Sequence, residues 1–136
     1  MLSVIKANAE RLNALNAKIG ETVKRRADSI EGLSAWKAAC AQFHEEYGLL
    51  AFPGGFARGL EKIKEGDLPT IMVALEYLEH TPYCFRSQYV ATALHRALNK
   101  VVLPEEMTVR FSAWKAAKKE RRTRRYSQRA SRVADL

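Results

Sequence analysis

The stretch LSAWKAACAQFHEEYG, Leu33–Gly48, decides the fold class. Its large apolar side chains stand at Leu33, Trp36, Cys40, Phe43 and Tyr47. Those steps of three and four place them on one face of an α-helix and on no single face of a strand. Gly48 is then expected to take a left-handed cap that ends the helix.

The same reading extends in both directions. Upstream, Ile5, Ala9, Leu12, Ile19 and Val23 form a long first stripe that runs out near KRRADS. Downstream, LLAFPGGF breaks the pattern. Pro53, Gly54 and Gly55 interrupt any helix, and the apolar neighbours imply a loop with a buried side. A short helix is predicted from Phe56 to Lys64. The next starts around Pro69, with Ile71, Met72, Leu75 and Leu78 inward. Thr81 and Pro82 are read as the cap and first residue of a fifth helix. Its inward stripe is Tyr89, Val90, Ala93, Leu94, Ala97, Leu98 and Val101. Pro104, Glu105 and Glu106 open the last helix. No segment alternates in the manner of a strand. The expected architecture is an all-α, compact bundle of about six helices with a basic C-terminal helical arm.

Six residues of the opening stretch recur. SAWKAA spans Ser34–Ala39 and again Ser112–Ala117, with starts 78 residues apart. Helical repeats recur every 20 to 50 residues or so, which makes duplication the poorer explanation. The contexts also part at once. The first copy continues into Phe43 and Tyr47; the second continues as KKERRTRRYS. Both copies place one large Trp among small alanines, a common local solution to helix packing. Trp36 and Trp114 are also candidates for a protein interface, because Trp is enriched at interface hot spots.

The divergence matters more than the repeat. Residues 115–136 hold nine of the chain's 23 basic residues and two of its 15 acids. The rest is nearly neutral, so the net charge of +8 belongs mostly to this tail. The expected organisation is a helical domain over 1–117 and a basic arm over 118–136, either an extension of the last helix or disordered. On a helix, Lys118, Arg122, Arg125, Arg129 and Arg132 share one face, Arg121 widens it and Tyr126 lies beside it. Lys119 and Arg124 add charge around it. Such a face cannot be buried without anionic partners. Guanidinium groups suit phosphate, so nucleic acid, DNA or RNA, is the preferred partner. Few side chains there could read bases, so little sequence selectivity is expected.

The alternative is a protein-interaction module of adaptor, antitoxin-like or immunity-like kind, using the basic arm or an aromatic patch. In HTPYCFRSQY, Tyr83, Phe85 and Tyr89 crowd around Arg86, the composition of an interface core. The stripe of the first helix would suit pairing with a second copy of the chain and equally suits docking onto the bundle.

Catalysis is not expected. FPGGFARG lacks the Lys and Ser/Thr of a phosphate-binding loop, and the adjacent pairs Glu45–Glu46 and Glu105–Glu106 point different ways on a helix. No metal or cofactor is expected either. Cys40 and His44, and His80 and Cys84, are each four apart, but Cys40 belongs to the apolar stripe and Pro82 disrupts the second pair. Two cysteines without a disulfide framework, and no apolar run long enough for a membrane span, suit a cytoplasmic protein. The acids Glu10 and Glu21 argue against reading the amphipathic N terminus as a transit peptide.

Overall fold

The structure is a computed structural model and describes residues 1–134. It is all-α, with six helices and no strand among the described residues. The chain forms two compact units, one from Met1 to Val102 and one beginning at Leu103.

The first unit holds α1 (Leu2–Val23), α2 (Ile30–Leu50), α3 (Phe56–Lys64), α4 (Leu68–Glu79) and α5 (Ser87–Asn99). α1 and α2 form an antiparallel hairpin. Leu12 and Leu15 meet Phe43 in the core, and the Arg26 guanidinium lies 5.1 Å from the Trp36 ring centre near the turn. Further along, Arg11 grips Glu46 with two hydrogen bonds of 3.1 and 3.0 Å. That fork holds the Glu46 carboxyl below its ordinary pKa. α3, α4 and α5 pack on one another, and α4 also touches α1. α4 is the most enclosed: Ile71, Ala74, Leu75, Tyr77 and Leu78 are all buried.

Local chemistry sets most boundaries. The Ser29 side chain accepts from the Gly32 amide at 2.9 Å and starts α2. Asp67 does the same for α4, accepting from the Thr70 amide at 3.2 Å and from its hydroxyl at 2.5 Å. These bonds favour the carboxylate and lower the Asp67 pKa. The stability they add is present above the pKa of the unfolded chain and is lost as pH falls through the lower folded value. Thermal unfolding of wild type and Asp67→Asn followed from neutral to acid pH should show the gap between the two narrowing in acid. A gap unchanged by pH would reject the ionised cap.

Two sequence-based boundaries are corrected. Gly48 does not end α2, which runs on to Leu50, and the positive-φ glycines are Gly54, Gly55 and Gly66. Gly48 stays helical because the helix is stopped by the Pro53–Gly54–Gly55 turn instead. Thr81 and Pro82 do not begin α5. The Thr81 hydroxyl donates to the Leu78 carbonyl at the end of α4, and residues 81–86 form a loop pinned by Asn13 Nδ2 donating to the Tyr83 carbonyl at 2.8 Å. α5 begins at Ser87, after Arg86 in the left-handed region at φ 60°.

The apolar loop between α2 and α3 is buried as expected. Ala51 and Phe52 are 4% and 1% exposed. The Phe52 ring lies over Gly59 of α3, where a Cβ would stand 2.6 and 2.8 Å from two ring carbons. Gly59→Ala would gain about 1 kcal/mol in helix propensity. Displacing a fully buried ring costs about 1–3 kcal/mol, so the balance is expected to be a net loss, checked by urea denaturation. A more stable variant would mean that Phe52 can move.

The second unit is built on α6 (Glu105–Ala134), a 30-residue helix. Glu105 and Glu106 occupy its positive end, and the Thr108 hydroxyl bonds the Pro104 carbonyl at 3.0 Å. Positions 135 and 136 of the predicted arm, including Asp135, lie outside the described residues.

Candidate nucleic-acid interface

α6 changes character at Lys118. Before it, Met107 and Phe111 are buried, and the Trp114 ring stacks on Phe111 with centres 6.1 Å apart. The Lys115 ammonium lies 4.4 Å from the Phe111 ring centre, and that of Lys118 lies 5.2 Å from Trp114. From Lys119 to Ala134 every residue is exposed. The arm is therefore helical over its described length, with no apolar stripe to bury. The expected inward face after Ala117 is instead cationic and open to water.

At about 100° per residue, Lys118, Arg121, Arg122, Arg125, Arg129 and Arg132 fall within an arc of roughly 100°. The row from Lys118 to Arg132 is about 21 Å long at 1.5 Å per residue. Glu120 lies well off this arc, and its Oε1 is 2.6 Å from Arg124 Nη2. Arg124 is thus neutralised by Glu120, a pair of little net value at an exposed site. Among the described residues, Arg122, Arg125, Arg129 and Arg132 have no ion-pair partner. Lys119 lies to one side, and Tyr126, 77% exposed, borders the arc with a free ring face. Unneutralised guanidiniums in one row present the two-pronged geometry that phosphate oxygens accept.

Within the first unit, the residues singled out for a protein interface do not form one cluster. Tyr83, Phe85 and Arg86 sit together in the loop before α5, with the Arg86 guanidinium 5.6 Å from the Phe85 ring centre. Tyr83 is 96% exposed, while one edge of Phe85 packs on Phe43, centres 5.4 Å apart. Trp36 lies two turns from Phe43 on α2 and is covered by Arg26. Trp114 belongs to α6. Tyr89 was expected to face inward; it is 62% exposed, and its ring meets Phe56 at the edge of α3 and α5.

Among the described residues, no three His, Cys, Asp or Glu gather where they could hold a metal. Burial raises the Cys84 pKa, which disfavours the thiolate that a metal requires. Burial also raises the Tyr77 phenol well above its ordinary value, so it stays protonated. No described helix is long and apolar enough to cross a membrane.

Sequence reasoning missed the groove between α3 and α5, lined in part by Leu60, Lys64, Arg96 and Lys100. The four-residue step from Arg96 to Lys100 was its one local trace. No protein-family model matches the chain, and neither does a curated protein or a solved structure.

Proposed function

We propose that the chain is a non-enzymatic binding protein whose α6 arm grips nucleic-acid phosphates with little sequence selectivity. The observation that carries this reading is the row of cations from Lys118 to Arg132, exposed from Arg121 onward and free of acids on its own face. The residues assigned to the contact are Lys118, Lys119, Arg121, Arg122, Arg124, Arg125, Arg129 and Arg132, with Arg124 contributing least because Glu120 holds it. Phosphate contacts position a protein without reading sequence. The neutral polar groups along the arm, Ser127 and Gln128 among them, offer little to the base edges.

The test compares the full chain with one ending at Lys118 on several unrelated duplexes and single strands. The full chain should bind all duplexes within about tenfold of one another, and the shortened chain should bind none at matched concentrations. Retained binding by the shortened chain would remove the arm from the interface.

A second reading has its own observation. Tyr83 and Phe85 present apolar surface beside Arg86, whose left-handed backbone is strained for a residue with a side chain. An adaptor-like or inhibitor-like contact with a protein would use this loop. It predicts weak salt dependence and loss of partner binding on Phe85→Ala with Arg86→Ala.

A further inference from the structure

The open groove between α3 and α5 has a volume of about 790 Å³ and differs from the arm in kind. Its floor is apolar: Leu60 from α3, with Ala93, Ala97 and Val101 from α5 and the turn after it. One end is marked by the Phe56 and Tyr89 rings, whose centres are 6.2 Å apart. Eight residues further along α3 stands Lys64, further along α5 stands Arg96, and Lys100 caps the end of α5. The two helices therefore run in the same direction, and the cations collect at the opposite end from the rings. No Asp or Glu lines the groove.

We propose that this groove docks an acidic amphipathic helix of a partner protein. Three features favour that occupant. Ala93 and Ala97 lie one turn apart, and such small side chains let a third helix approach closely. From Tyr89 to Val101 the groove is about 18 Å long, which matches roughly three turns of helix. The cations at one end, with no acid among the lining residues, select a ligand that brings carboxylates. Nucleic acid fits worse. A phosphate backbone would leave the concave apolar floor uncovered, whereas the arm offers cations on a convex surface. The inference is independent of the arm's role.

The probe is a synthetic helix of about 16 residues with Leu at i, i+3, i+4 and i+7 and Glu on the flanks. Its twin carries Lys in place of Glu. Binding to the full chain is read by fluorescence anisotropy, and the site by amide chemical-shift changes. The acidic peptide should shift residues of α3 and α5. It should bind at least about tenfold more weakly to Ala97→Trp, which fills the floor, and to the exposed pair Arg96→Glu with Lys100→Glu. Should Ala97→Trp fail to fold, the charge-reversed pair and the shift map decide. The arm variant Arg122→Glu, Arg125→Glu and Arg129→Glu should bind the acidic peptide with an affinity within about twofold of wild type. Any of four results with the peptides would overturn the proposal: no binding, equal binding of the Lys twin, loss confined to the arm variant, or shifts away from α3 and α5. A groove variant that loses duplex DNA affinity as fully as the arm variant would instead make the groove part of a phosphate-binding surface, and would equally overturn it.

Discussion

The triple variant Arg122→Glu, Arg125→Glu and Arg129→Glu is expected to lose duplex DNA affinity by about a thousandfold. Hydrogen bonds to charged groups contribute about 1.5–3 kcal/mol each, and 1.4 kcal/mol is tenfold in affinity. Three such contacts disappear, and three repulsions replace them. The three positions are exposed and make no ion pair among the described residues, so their reversal should leave the fold intact. Circular dichroism of the variant should match wild type. Replacing the same residues with Lys keeps the charge but not the forked geometry. That variant should keep most of the affinity if binding is mainly electrostatic. Gel-shift or anisotropy titration at fixed salt reads both outcomes. An Arg-to-Glu triple variant that still binds within about tenfold of wild type would remove the cation row from the interface.

Phe52→Ala is expected to have the largest effect on stability. Phe52 is 1% exposed, lies over Gly59, and meets the Tyr77 ring with centres 6.2 Å apart. It comes from the loop, yet it joins α3 to α4. Removing a buried Phe costs about 3–5 kcal/mol through lost transfer energy and the cavity left behind. A chain of this size commonly has only about 5–15 kcal/mol in total. Urea denaturation should show a loss near 3 kcal/mol or more. A loss under about 1 kcal/mol would mean that the loop does not hold α3 on α4.

Which features were legible follows from how local their causes are. α4 was readable because Pro69 and the stripe Ile71, Met72, Leu75, Leu78 lie within about three turns, although its Asp67 cap went unread. α3 was readable because the Pro53–Gly54–Gly55 break and the Gly66 turn flank it. The start of α5 was not, because a distant contact decides it. Asn13 of α1 holds the Tyr83 carbonyl, and Phe85 packs on Phe43 of α2, so residues 81–86 stay out of a helix despite Thr81 and Pro82. Gly48 misled because glycine permits a left-handed cap without requiring one. Tyr89 misled because the stripe was drawn too wide: Val90, Ala91, Leu94 and Leu98 are the buried apolar positions of α5. The arm was legible because a row of cations depends on one helix alone. The groove was not, because it exists only once α3 and α5 lie side by side.

The most direct test of the central claim is the salt dependence of duplex DNA binding by the full chain, set beside that of the triple arm variant. Each phosphate contact releases counterions and contributes about 0.9 to the slope of log affinity against log salt. Wild type should show a slope steeper than about −4, and the variant a slope shallower by about 2.7. A flat slope in wild type, or equal slopes in the two proteins, would contradict the account.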